Sequence, residues 1–261
     1  MSASHQCYSG LKASTWDLHR TNTKSWADRK MYFEIIQKYG EPAVDLGCGT
    51  GRIILDFLSQ GIDIDGVDLS ADMLAICAKK ARSSGLSPNL YEQSIEALDL
   101  PRKYRTILGP SSVLQLVPDV ERATSTLRRI FDHLLPGGVF ITPFGFAWRE
   151  GLPLETDWSL HFEKERPSDG ATVRSWEREW RDPPAQQWHT EQRLEVELNG
   201  VIIETEHHTC SPEGRWYTRA QAVDLYREVG FTNVQVYNGF TFEAVGEKEV
   251  ELFSVLGMRP A

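Results

Sequence analysis

The stretch from Ala43 to Ser70 does most to restrict how this chain can fold. A short apolar run, Ala43-Val44 with Leu46, meets three alternating glycines in Asp45-Leu46-Gly47-Cys48-Gly49-Thr50-Gly51. A helix-like run, Ile53-Ile54-Leu55 with Phe57-Leu58, follows at once. That order predicts strand, glycine loop, helix. Glycines at such a turn admit positive φ and, lacking Cβ, let a bulky ligand lie against the main chain. A second strand is expected over Ile62-Asp63-Ile64-Asp65-Gly66-Val67-Asp68. Ser70 then caps a helix whose inward face is Met73, Leu74, Cys77 and Ala81.

The spacing argues against two phosphate-binding loops. A dinucleotide fingerprint needs its third glycine at position 52, which is Arg52, and the glycine sits one residue early at Gly51. No Gly-Lys-Ser/Thr follows, so a P-loop fails as well.

An acid two residues before the first glycine, then Gly-x-Gly-x-Gly, then a second acid in Gly66-Val67-Asp68-Leu69-Ser70 resembles the S-adenosylmethionine site of class I methyltransferases. The resemblance implies that Asp45 faces the amino acid end of the cofactor. Gly47, Cys48, Gly49 and Gly51 would pack main chain along it. Asp68, next to Leu69, would accept both ribose hydroxyls. Asp68 is preferred because it ends its strand, where ligands of open α/β sheets gather, and Asp63 and Asp65 are expected in solvent. Met73 belongs either to the core or to the adenine slot. After a third strand over Asn89 to Gln93, the acid usual in the family is replaced by Gln93-Ser94. Ser94, the main chain of Ile95 and Glu96 stay open as adenine partners.

A fourth strand, Arg105 to Leu108, runs into Gly109-Pro110-Ser111-Ser112-Val113-Leu114-Gln115. There the resembling enzymes bring the acceptor to the methyl group. The Asp/Asn-Pro-Pro-aromatic tetrapeptide of base-amino methyltransferases is missing, which argues against a DNA amino group. Ser111 is assigned to the cofactor and Gln115 to the acceptor. An amphipathic helix from Val120 to Leu134 stops at Pro136-Gly137-Gly138, before a fifth strand over Val139 to Thr142. Strands alternating with helices call for a parallel sheet covered on both faces.

From Phe144 to about Pro212 the periodicity changes to alternation, and six of the eight tryptophans fall between Trp148 and Trp216. Asn199-Gly200 marks a two-residue hairpin, with Leu198 facing Val201, Val196 facing Ile203 and Leu194 facing Thr205. Thr172 to Trp180 supplies a third strand. Such an insertion serves as a cap over the acceptor pocket or as a dimer surface, and Trp148, Trp216 and Tyr217 are candidate acceptor contacts. Thr218 caps a helix from Arg219 to Val229, and Phe231 to Tyr237 and Glu249 to Leu256 read as closing strands.

The expected fold is therefore α/β: a Rossmann-like, doubly wound, mostly parallel seven-stranded sheet with an antiparallel β insertion, the cap, after the fifth strand. Residues 1–40 form an N-terminal helical lid, in which Trp16-Asp17-Leu18, Asp28 and Tyr32 resemble the family's pattern. Residues 41–144 form the cofactor-binding core, 145–215 the cap, and 216–261 the returning helix and strands.

A formal net charge of −9 without a lysine and arginine stripe disfavours nucleic acid. Cys7, Cys48, Cys77 and Cys210 lie far apart, without the spacing of a zinc site or disulfide framework, which suits a reducing compartment. His207-His208 point to opposite faces of a strand and cannot readily share a metal. No apolar signal core or run of about twenty apolar residues occurs, so a cytoplasmic protein is expected, with no membrane partner.

The function implied is methyl transfer from S-adenosylmethionine to a nitrogen or oxygen of a small organic molecule by in-line displacement. The catalytic residue is unassigned. His161, His189, His207, Tyr217 and Glu96 are open as a general base. The rival readings are a regulatory S-adenosylmethionine binder without turnover, an RNA or protein methyltransferase, and a nicotinamide oxidoreductase. The partner expected is a small-molecule substrate, with a homodimer through the insertion as a further option.

Overall fold

Apolar strands separated by one-sided helices form the sheet that the pattern requires. The computed structural model describes residues 8–145, 148–246 and 251–261. Strands β1 (Ala43–Leu46), β2 (Ile64–Asp68), β3 (Leu90–Glu92), β4 (Tyr104–Leu108) and β5 (Leu134–Gly145) are parallel. With β10 (Thr232–Asn238) and β11 (Leu252–Met258) they make seven strands in the order β3-β2-β1-β4-β5-β11-β10, β11 running antiparallel to both neighbours. One face packs α5 (Val120–Asp132) and α6 (Arg219–Val229) over Val44, Leu46, Ile107 and Phe140. The other packs α2 (Ala27–Tyr39), α3 (Ile54–Leu58) and α4 (Ala71–Ser83) over Ala43, Ile64, Leu108 and Ile141.

The caps follow local chemistry. The Ser70 hydroxyl accepts the N–H of Met73, and Thr218 and Gln221 form a reciprocal capping box. Gly230 ends α6 in the left-handed region.

The insertion is a four-stranded antiparallel meander of β6 (Ser159–Glu165), β7 (Thr172–Asp182), β8 (Gln187–Leu198) and β9 (Val201–Arg215). Its small core of Phe162, Ala171, Val173, Leu194 and Val196 is completed by Leu11 of α1 (Gly10–Thr15). The N–H of Gly10 donates to Asp72 of α4, and the N–H of Leu11 donates to Glu206 of β9. The first helix is thus a strap between core and cap. α2, by contrast, belongs to the core layer, with Tyr32 fully buried.

Several expectations need correction. Leu198 does pair with Val201, but Glu197 then pairs with Ile202 and Val196 with Glu204, so Ile203 is an extra residue in β9. Leu194 consequently opposes Glu206 rather than Thr205. The bulge shifts the register, and Val201, Ile202 and Ile203 stay 61%, 54% and 52% exposed. β5 begins before the Pro-Gly-Gly turn because Leu134 already pairs with Tyr104.

Asp65 is not in solvent. It is 1% exposed and accepts hydrogen bonds from Arg102 Nε, Asn89 Nδ2 and the Tyr104 hydroxyl. Asp63 is held bidentately by the same guanidinium, which lowers its pKa. Cys210 is disulfide-bonded, whereas Cys48 and Cys77 are free and buried, so the argument from unpaired thiols to a reducing compartment does not hold. The start of the lid segment with Cys7, residues 146–147 at the start of the cap, and Glu249 and Val250 of the last expected strand lie outside the described residues.

Candidate active site

The strand order reverses between β1 and β4, and ligands of open α/β sheets bind at the carboxyl ends of strands beside such a point. A cavity of about 530 Å³ lies there. The loop after β1 contributes Asp45, Gly47, Cys48 and Gly49, and the turn after β2 contributes Asp68, Leu69, Ser70 and Met73. Ser94, Ile95 and Glu96 enter from the turn after β3, and Ser111 from the turn after β4.

Gly47 and Gly49 have φ of 72° and 54°, where a side chain is strained, and a Cβ on Gly49 would meet only open space. Gly51 does not line the cavity. Its Cβ would stand 2.7 Å from Cys77 Sγ and 2.8 Å from Leu55, so this third glycine serves helix packing. Ser111 and Ser112 are left-handed without being glycine, with φ of 54° and 59°, a strain found where a backbone is shaped for a task.

Two carboxylates dominate the electrostatics. Asp45 is 1% exposed, and burial raises its pKa to about 7, against an opposing pull from Arg52. Its Oδ1 has no hydrogen-bond partner among the described residues. Asp68 accepts the N–H of Gly49 through Oδ2 and that of Ser70 through Oδ1, each at 2.8 Å. Burial raises its pKa while these bonds oppose the shift. A further backbone hydrogen bond reaches this carboxylate at Leu69, and a carboxylate offers about four acceptor positions in all. Arg52 is spent on a bidentate pair with Asp28 at 2.9 and 2.6 Å and lies over the Trp26 ring.

Just past β3, the Ser94 hydroxyl accepts the Glu96 N–H, and Glu96 is paired with Arg122. Ile95 also lines the cavity and packs against the main core. Met73 is both buried and on the cavity wall.

The expected acceptor residues are placed elsewhere. Gln115 donates through Nε2 to the carbonyls of Gly145 and Arg215 and accepts the Gly145 N–H, pegging β9 to β5. Trp216 is buried beside Trp148, and Tyr217 is buried edge-on against Phe144. None of the four lines the cavity, and neither do His161, His189 or His207. Among the described residues no cluster of histidine, cysteine and carboxylate side chains could hold a metal ion.

The far wall comes instead from Tyr8, Trp16, Asp17 and Arg20 of the N-terminal strap and Pro212 and Glu213 of β9. Arg20 lies 3.8 Å over the Trp16 ring, and its Nε has no partner among the described residues. Only Trp16-Asp17 carried a signal in the sequence. The rest are joined by contacts across some two hundred positions.

A buried, half-satisfied carboxylate, a backbone free of side chains and a second carboxylate near a diol-sized gap suit a nucleoside with a cationic amino acid tail. Residues 43–138 match the family model described as a methyltransferase domain. The ubiquinone biosynthesis O-methyltransferase of Methylococcus capsulatus is 33% identical over 101 residues, covering 38% of this chain and 41% of that protein. The chain thus aligns with less than half the length of the curated relatives it matches.

Similar folds are seen in an S-adenosylmethionine-dependent methyltransferase from Clostridium acetobutylicum and the sugar N-methyltransferase KedS8 from Streptoalloteichus sp.. The first has a TM-score of 0.75 at 19% identity, covering 95% of this chain and 97% of the other. The second has 0.72 at 16%, covering 97% and 94%.

Proposed function

We propose that this chain is a class I S-adenosylmethionine-dependent methyltransferase that methylates a nitrogen or oxygen of a small organic molecule, a reading supported by the match of residues 43–138 to a methyltransferase domain. The observation that carries this reading is the pairing of Asp45 and Asp68 across one cavity, with Gly47 and Gly49 between them. Bound S-adenosylmethionine supplies the activated methyl group. Asp45 would hold its ammonium end and Asp68 its ribose, both through charge-assisted hydrogen bonds.

The chain's remaining task is to exclude water and hold the acceptor in line. The strap and β9 suit that task because they face the cofactor end across the cavity. The volume falls within the range of small-molecule sites and suits a small acceptor. The similarity in fold to a sugar N-methyltransferase makes amino sugars a sensible part of any acceptor panel.

Isothermal titration with S-adenosylmethionine and with NADH separates the readings first. Binding of the former alone is expected. Release of S-adenosylhomocysteine is then followed over amines, amino sugars, phenols and carboxylic acids. A folded protein that binds no S-adenosylmethionine would refute the reading.

A further inference from the structure

We propose that Glu213 receives and aligns the nucleophilic nitrogen of an amine acceptor, an inference that rests on the methyltransferase reading above.

The strand geometry aims this side chain. Trp188 pairs with Gly214 and Thr190 with Cys210, so His189 alone opposes residues 211 to 213 of β9. Bulges of this kind redirect side chains, and here Pro212 and Glu213 are turned onto the cavity wall. Gly214 closes the bulge where a Cβ would stand 2.3 Å from the Trp188 ring and 2.6 Å from the Gln115 carbonyl oxygen.

The carboxylate is then fixed by three uncharged donors. The Tyr8 hydroxyl donates to Oε1 at 3.2 Å, and Trp188 Nε1 and Thr190 Oγ1 donate to Oε2 at 3.2 and 2.8 Å. Burial, together with the charge of Glu213, pushes the Tyr8 phenol well up, which keeps it a donor. Tyr8 also ties this acid to the cofactor end: its carbonyl accepts from Ser70 Oγ, and the Ser70 N–H donates to Asp68.

An ionised carboxylate offers about four acceptor positions. Three are taken, and the open one is on Oε1. The ligand group that completes the set is therefore an N–H or O–H donor. A hydroxyl acceptor must give up its proton to a base as it attacks. A neutral amine, having left its ammonium proton in solvent before binding, makes no such demand. Its lone pair forms the carbon–nitrogen bond as the carbon–sulfur bond breaks, and the electron pair of the broken bond stays on sulfur. The nitrogen becomes cationic with its proton still hydrogen-bonded to Glu213, and the proton passes to solvent after the product departs. A fixed anion beside that nitrogen favours the transition state.

The test uses the full chain loaded with S-adenosylhomocysteine, titrated by tryptophan fluorescence with primary amines, each paired with its hydroxyl counterpart, such as an amino sugar and its parent sugar. Turnover with S-adenosylmethionine is measured on the same pairs. The wild type is expected to favour at least one amine over its partner by tenfold or more. Glu213→Gln is expected to lose that preference and about a hundredfold in kcat/KM, with the S-adenosylmethionine Kd changed less than twofold.

Should that variant fail to fold, Thr190→Val decides. It leaves the charge but loosens it, and a three- to tenfold fall in kcat for the amine with unchanged Tm is expected. A role confined to holding β8 to β9 would lower Tm and leave the amine preference intact. Equal treatment of amine and hydroxyl, or unaltered selectivity in the variants, overturns the inference while the wider methyltransferase reading stands. Loss of S-adenosylmethionine binding by the folded wild type removes both.

Discussion

Asp45→Asn should make the protein more stable and worse at binding its cofactor. The Asp45 carboxyl is buried, its pKa is raised to about 7, and Oδ1 lacks a partner among the described residues. In the unfolded chain the same group titrates near 3.8. A folded-state pKa raised above the unfolded value means that the native state holds the proton more tightly. The resulting penalty is absent below pH 4, grows as pH rises to 7 and is constant above.

Three units at 1.36 kcal/mol each give about 4 kcal/mol at pH 8, and about 1.5 kcal/mol at pH 5. Asparagine carries no charge and still offers an oxygen to the Ile54 N–H that Asp45 accepts. Urea unfolding of the free protein should therefore show the variant ahead by about 2–4 kcal/mol at pH 8, allowing for native-state relaxation, with the gain shrinking towards pH 5. Its affinity for S-adenosylmethionine should fall by about 1.5–3 kcal/mol, the usual loss for a hydrogen bond to a charged group. A gain that does not change with pH, or a variant less stable than wild type at pH 8, would refute the electrostatic argument. Undiminished affinity would separate Asp45 from the ligand.

Three other substitutions probe the same framework. Asp68→Ala should weaken S-adenosylmethionine binding by roughly 1.5–3 kcal/mol in calorimetry, and it should raise hydrogen exchange at the Gly49 and Ser70 amides that it now holds. Gly51→Ala forces a Cβ against Cys77 and Leu55 at a φ of 93°, and about 2–3 kcal/mol of stability should be lost in urea melts. Arg102→Ala strips the guanidinium from buried Asp65, leaving it only Asn89 and Tyr104, and about 3 kcal/mol should be lost at pH 7.

Local chemistry was legible in the sequence wherever neighbours in the chain decide the outcome. The glycine loop, the Ser70 and Thr218 caps and the Asn199-Gly200 turn are set by residues within a few positions of one another, and each is where the pattern places it. Sequence reasoning failed where a distant partner decides. Asp65 reads as a solvent-facing strand residue until Arg102 and Tyr104 close over it. The hairpin register depended on an extra residue at Ile203 that no alternation pattern reveals. Aromatic density pointed to Trp148, Trp216 and Tyr217, yet Trp216 and Tyr217 are buried, Tyr217 in the core of the main sheet, and Trp148 lies half-buried beside Trp216. Glu213 looked like one acid among many, and only the irregular pairing beside His189 singles it out.

The two halves of the cavity come from different stretches of chain. Positions 45 to 96 with 110 to 117 supply one part, while 8 to 23 and 212 to 213 supply the other. The strap meets the rest through polar ties and through Leu11, Leu18 and the His19 ring, which pack on the small core of the cap. Under the proposed function, retargeting to a new acceptor is a grafting problem, in which strap and meander are exchanged together while the cradle at the strand ends is left as it stands.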